Sequence, residues 1–220
     1  VAALIASARN PLVIAQRGAG DAAGFAALSE LAETWALPVC QYWAVQLAVP
    51  LDHAMYVGVD PGPWLKEADV VVAIDCLAPW SPAAHPLRPD ARVVHIGPDP
   101  LYARFPVRNF RADHCLAGET SPTLVALAER LRAYEEASAP VRRARREKVA
   151  KASAAYREAT RERARRGDGE PMSKAFVSLC LAEALAGRRA TVLSELGAPL
   201  DPLGLTEAGS WFQEPHSGGL

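Results

Sequence analysis

Residues 68–74 read ADVVVAI, and Asp75 follows directly. A strand with one wet face would alternate polar and apolar residues, and this run does not. Unbroken β-branched character fits a strand covered by helices on both faces, as in a parallel sheet. PLVIA (11–15) and ARVVHI (91–96) have the same character and are bounded by Pro, Gly or Asp. PVCQYW (38–43) and RADHC (111–115) add two further strands.

Helical patterns lie between these runs. Asp21 is placed to cap a helix through about Ala36, because Phe25, Leu28, Leu31 and Trp35 recur on one face and Pro38 stops it. A second helix is expected with Ser121 as N-cap, Pro122 in its first turn, and Leu124, Leu127, Ala128 and Leu131 as its buried stripe. Strand and helix therefore alternate over residues 1–137, the signature of an α/β domain.

Residues 138–168 differ in kind. From Val141 to Arg166 there are eleven Lys or Arg against three Glu, a local charge of +8 that leaves −9 for the rest of a chain whose total is −1. Such a cationic run could meet nucleic-acid phosphates, but Tyr156 is its one aromatic residue for stacking on bases, and Arg and Glu interleave at helical spacing. A solvated linker helix without a nucleic-acid partner is the expectation. A new β/α start follows over 169–220. Ser173 caps a helix carrying Phe176, Val177, Leu181 and Leu185, Gly187 closes it, and TVLSEL (191–196) is the next strand, followed by a polar connection.

Half of the 220 residues are hydrophobic, enough for a substantial core. Cys40, Cys76, Cys115 and Cys180 are far apart, which suits single thiols in a reducing cytoplasm. No apolar run approaches the roughly 18 residues a membrane span needs, so a cytoplasmic protein without a membrane partner is expected. The valine at position 1 and the abrupt end on EPHSGGL (214–220) suggest part of a longer chain.

Three motifs invite a chemical reading. Gly18, Gly20 and Gly24 follow the first strand, where glycines can admit a pyrophosphate to a helix N-terminus. An acidic ribose partner should close the second strand, but Gln41 and Tyr42 stand there, so a tight structural turn is the default and a non-catalytic NAD or FAD domain the alternative. Residues 167–169 read GDG, without a preceding strand or a downstream Asn to complete a magnesium shell. His53, His85, His95, His114 and His216 form no metal-binding spacing, and no nucleophile elbow is present.

Several stretches, in order, resemble the thiamine-diphosphate-dependent 2-oxo-acid enzymes, specifically the acetolactate synthase and benzoylformate decarboxylase branch. They are RNPLVIAQRGAG (9–20), LPVCQ (37–41), VPLDHAMYVG (49–58), LKEADVVVAID (65–75), ARVVHIGPDPLYARFPV (91–107) and EPHSGGL (214–220). The resemblance implies that 1–137 is the central domain, built on a six-stranded parallel sheet flanked by helices. By the same likeness 138–168 is the linker and 169–220 opens a second α/β domain, the one that binds the diphosphate. It further implies a lyase or transferase acting as a carboligase on 2-oxo acids, working as a homodimer or homotetramer.

Thiamine diphosphate is the cofactor so implied. Leu196, Gly197 and Ala198 would contact its diphosphate, with Ser217, Gly218, Gly219 and Leu220 forming a close main-chain turn against it. The catalytic glutamate and the Mg²⁺ ligands of the family are expected outside this chain, which therefore has no catalytic or metal residue of its own and should be inactive alone. FAD-binding members carry an Arg- and Asp-rich loop where this chain has DCLAPWSPAAH, and an acid where Gly97 and Pro98 stand; both differences argue against FAD. His85 lies a few residues from a loop histidine that reaches the active site in benzoylformate decarboxylase, and is expected to be a surface histidine.

Overall fold

The structure is a computed structural model that describes residues 1–195 and 198–214. Its main body is a parallel sheet of β1 (Pro11–Ala15), β2 (Val39–Cys40), β3 (Val70–Ile74), β4 (Arg92–Gly97) and β5 (His114–Ala117), in the order β2-β1-β3-β4-β5. Every residue of β1 and β3 is buried, as unbroken apolar runs demand. Edge strand β5 is largely exposed.

The expected α/β architecture with a helix-flanked parallel sheet is present, but the described sheet has five strands where six were expected. The sixth position is held by an extended segment at 55–58, hydrogen-bonded to β2 through Val39 N to Met55 O (2.8 Å), Val57 N to Val39 O (2.9 Å) and Gln41 N to Gly58 O (3.0 Å). One parallel bridge, Val39 to Tyr56, forms before Gly58 turns the backbone left-handed at φ +98°.

The helices are α1 (Ala2–Ser7), α2 (Ala22–Trp35), α3 (Gly62–Leu65), α4 (Thr120–Leu131), α5 (Glu135–Arg165) and α6 (Lys174–Leu185). Asp21 and Ser173 cap α2 and α6 as expected, accepting from Gly24 N and Phe176 N. α4 begins slightly before the expected Ser121, with Glu119 at its N-cap and Pro122 inside a first turn whose N–H groups lack helical acceptors anyway. Leu28, Leu31 and Trp35 of α2 and Leu124, Leu127 and Leu131 of α4 join the sheet in one core.

The basic helix α5 is more than a solvated linker. It buries Val149, Ser153, Thr160, Ala164 and even Arg145. Three arginines on one of its faces donate to the last carbonyls of α2 and to that of the residue after it. Arg146 donates to Glu33 O, Arg142 to Thr34 O (2.6 Å), and Arg145 to Trp35 O (2.6 Å) and Ala36 O (2.9 Å). A helix end carries partial negative charge and orphan acceptors, and a guanidinium presents several donors at once. Arg145 also reaches Ala8 O just past α1 (2.8 Å), and Arg142 lies over the Trp35 ring at 4.7 Å.

Beyond α6, β6 (Val192–Ser194) pairs in parallel with β7 (Trp211–Gln213). The intervening stretch, expected as a plain polar connection, contains a 3-10 turn at Asp201–Leu203 that buries Pro202 and Leu203. Gln46 and Phe212 form an antiparallel bridge that ties β7 to the main body.

Candidate functional site

From β1 the chain passes to β2 on one side, while β3, β4 and β5 build out on the other. Loops diverge at the carboxyl ends of strands where the order reverses, and ligands bind α/β sheets in the crevice so formed. Gln16, just after β1, organises that crevice. Its buried side-chain Oε1 accepts from Leu77 N (2.7 Å) and its main-chain O from Val45 N (2.6 Å), so the loops after β3 and β2 hang from one residue.

Arg108 fixes the loop after β3 from the other side, donating to Cys76 O and Leu77 O at 2.9 Å each. Its guanidinium lies 5.4 Å from the Tyr102 ring and 5.2 Å from the Phe110 ring. Burial lowers the Arg108 pKa, yet an arginine starts so high that it stays charged. Tyr102 donates to Asp75 Oδ1 (2.9 Å); burial, then the Asp75 charge, push the phenol pKa up and keep it a donor.

Two cavities open at this edge. One of ≈ 420 Å³ has a mostly apolar wall of Trp43, Ala44, Val45, Leu77 and Ala78, with Gln16, Arg17 and Gln213, the last at the end of β7, as its polar members. Trp43 is 64% exposed. Its left-handed backbone (φ 47°) sets its ring in a stack on Tyr42, 5.5 Å between centroids. The neighbouring cavity of ≈ 590 Å³ is mixed, with Arg17, Asp21 and Asp75 on its walls beside Val45, Pro98 and Phe212.

The glycines after β1 serve the turn and the packing of α2 on α4. Gly18 and Gly20 take φ +77° and +94°, and a Cβ on Gly24 would fall inside 3.0 Å of Ala19 O. The Asp21 carboxylate already holds the N-terminus of α2 through Gly24 N (2.8 Å), and that bond followed by Ser121 keeps its pKa below the ordinary value. A pyrophosphate there would meet a carboxylate where it needs free N–H groups. The geometry therefore gives the nucleotide-domain alternative no support.

The second sheet has its own carboxyl edge. Ser194 and Gln213 are register partners, and Glu214 N donates to Ser194 O (3.1 Å), so the chain leaves β6 and β7 side by side. Ala198, half-buried, folds back so that its N–H donates to Ser194 Oγ (3.2 Å). Leu196, Gly197, Ser217, Gly218, Gly219 and Leu220 lie outside the described residues. This edge stands beside the apolar cavity because Gln213 N donates to Val45 O (2.8 Å).

Sequence reasoning missed Gln16, Trp43, Tyr102, Arg108 and Gln213 as site builders. The adjacent aromatics Tyr42 and Trp43 are the one visible signal; Gln16, Arg108 and Gln213 act through main-chain partners that leave no trace in composition, and Tyr102 through Asp75, 27 residues away. His85 differs from expectation in being largely buried. Its side chain is 15% exposed, Nδ1 accepts from Ser81 N (3.1 Å), Nε2 lies 3.3 Å from Asp60, and the ring meets Tyr42 edge-on. Among the described residues no group of three or more His, Cys, Asp or Glu side chains could hold a metal ion, and no helix is long and apolar enough to cross a membrane.

Residues 1–127 match the family described as thiamine pyrophosphate enzyme, central domain. No curated protein matches the chain. Among solved structures, the chain is similar to a protein from Mycobacterium smegmatis assigned provisionally as a thiamin diphosphate-dependent enzyme, at 19% identity and a TM-score of 0.64. The match covers 97% of this chain and 40% of the other.

Proposed function

The chain belongs to the thiamine pyrophosphate enzymes, and from that premise we propose that it is a portion of a thiamine-diphosphate-dependent lyase or carboligase acting on 2-oxo acids. In this proposal residues 1–137 are the central domain, 138–168 the linking helix, and 169–220 the opening of the diphosphate-binding domain. The observation that carries it is the parallel register of β6 and β7. The loop at 195–198 and the segment after Glu214 start from neighbouring positions on one sheet edge, as two main-chain segments serving one diphosphate must.

The residues at that edge fit such a group. Ala198 is small, and the sequence beyond β6 and β7 carries Gly197, Gly218 and Gly219, a residue type with no side chain to stand between a main-chain N–H and a phosphate oxygen. Bound there, thiamine diphosphate supplies the carbanion chemistry that releases carbon dioxide from a 2-oxo acid. The chain's part is to position the diphosphate and, through the wall of Trp43, Val45 and Leu77, to keep water from an apolar space beside it. Mg²⁺ and the catalytic carboxylate are assigned to residues outside this chain, FAD is left out of the assignment, and the working form is a cytoplasmic homodimer or homotetramer.

The test is made on the intact parent protein. Titration with thiamine diphosphate and Mg²⁺, followed by near-ultraviolet circular dichroism, should saturate, and carbon dioxide should then be released from pyruvate or benzoylformate. Tight binding of NAD or FAD with no thiamine diphosphate response would refute the proposal.

A further inference from the structure

Asp201 stands half-buried at the start of the 3-10 turn between β6 and β7 and has no ion-pair partner within contact among the described residues. Its two carboxylate oxygens instead accept from two phenols, Tyr56 to Oδ1 and Tyr156 to Oδ2. The three side chains come from three parts of the fold: the extended segment beside β2, the middle of α5, and the β6–β7 connection. The two tyrosine rings meet edge-on with centroids 6.4 Å apart.

The rest of the site is shaped to permit this. A Cβ on Gly58 would sit closer than 3.0 Å to Tyr156 Cζ, so the glycine leaves the gap through which the Tyr156 ring reaches Asp201. Gly58 lies two residues after Tyr56, so one short segment supplies both a phenol and the passage for the other. Burial raises the Asp201 pKa, while the hydrogen bonds of Tyr156 and Tyr56 and the charge of Arg163 act against that rise. Arg157, Arg161 and Asp52 line the small cavity around it.

Leu200, Pro202 and Leu203 are buried and could hold this turn by apolar contact alone. Apolar contact has no direction, so it permits the turn to slide; a carboxylate bonded to two fixed phenols does not. Buried polar groups are known to set register where apolar packing leaves it open.

We propose that Asp201 is a positioning residue: through Tyr56 and Tyr156 it pins the β6–β7 unit in register against the central sheet, and so sets where that unit's carboxyl edge stands beside the Trp43–Gln213 cavity. The pin is independent of any cofactor; its meaning for diphosphate binding rests on the function proposed above.

The experiment is hydrogen exchange on the full chain, comparing wild type with Asp201→Asn, Tyr56→Phe, Tyr156→Phe and the double Phe variant. The Phe variants remove only hydroxyls and keep both rings in the core. The reporting amides are Leu47, Leu51 and Gln213, which donate across the junction to Trp211 O, Leu205 O and Val45 O. The control amides are Val13 and Arg92, which donate within the main body to Pro38 O and Asp69 O. Exchange at the three reporters should rise by roughly 10- to 100-fold in the double variant and in Asp201→Asn, with the controls unchanged. Unchanged reporters, or an equal rise at reporters and controls, would overturn the pin. Thiamine diphosphate with Mg²⁺ should bind more weakly to the same variants of the intact protein. Absence of binding by the wild type would count against the proposed function alone and leave the exchange result standing.

Discussion

Replacing Arg145 by Met tests whether the arginines of α5 hold the fold together. Arg145 is 8% exposed and donates to Trp35 O, Ala36 O and Ala8 O at 2.6, 2.9 and 2.8 Å. Burial pushes its pKa down to about 10, still well above neutral pH, so it works as a cation. Hydrogen bonds from a charged donor contribute roughly 1.5–3 kcal/mol each, so three amount to about 5–9 kcal/mol. Removing the cation also returns several kcal/mol of desolvation penalty. The net loss should be about 3 kcal/mol, lowering the Tm by roughly 6–12 °C for a chain of this size.

Urea denaturation followed by tryptophan fluorescence measures this, because Trp35 sits at the affected end of α2. Arg145→Lys separates charge from geometry. A lysine keeps the cation, but its compact ammonium cannot serve three carbonyls that approach from different directions, so at least half of the loss should remain. A Met variant within about 0.5 kcal/mol of wild type, the scale of an ordinary surface substitution, would refute the capping argument. Full recovery by Lys would refute the part that depends on the fork of donors.

Three further expectations are open to the same kind of measurement. Gly58→Ala should cost about 3 kcal/mol, from left-handed strain together with the Tyr156 clash, and adding Tyr156→Ala should recover the clash component when both are measured by urea denaturation. Gly24→Ala would ordinarily favour a helix, but with its Cβ inside 3.0 Å of Ala19 O it should destabilise by about 1–3 kcal/mol; a higher Tm would contradict the packing of α2 on α4. Burial depresses the pKa of both His53 and His95 below 6.5, so the unfolded chain takes up more protons than the folded one. Their contribution is therefore complete above pH 6.5 and lost as pH falls through the folded values. The Tm should drop on acidification in that range, and less so in His95→Gln; an identical slope in the variant would remove His95 from the explanation.

β1, β3 and the centre of β4 could be read from sequence because a strand buried on both faces must be largely apolar, and PLVIA and VVVAI announce that directly, with VVHI of β4 departing from it only at His95. β2 was overextended. PVCQYW looks like one strand, but the side chain of Gln41 turns inward to accept from Ala48 N (2.6 Å) and Trp43 adopts a left-handed backbone, so pairing with β1 stops at Cys40. β7 is hidden because its three residues are too few to show a period, and, beyond β6, the residues it bonds to, Val45 and Leu47, are far away in sequence. The arginines of α5 were read as solvated because their acceptors are main-chain carbonyls, which every residue carries and no composition can flag. At the site, the edge of β6 could be anticipated from TVLSEL, whereas the crevice depends on Gln16 and Arg108, whose work is done through backbone atoms of other loops.

The three-arginine closure of α2 also bears on how the chain folds during synthesis. Most of the apolar residues that fill the sheet and its flanking helices have emerged by Leu131, yet the donors for the Thr34 and Trp35 carbonyls that end α2 arrive only with Arg142 and Arg145. Until α5 leaves the ribosome, the nascent central domain has most of its apolar residues but two unmet carbonyls at the end of α2, and protease nicking near Trp35 should persist until that moment. The boundary at residue 137 that composition suggests thus falls before the domain's own fastening, and an excised 1–137 fragment would inherit the same exposed end permanently.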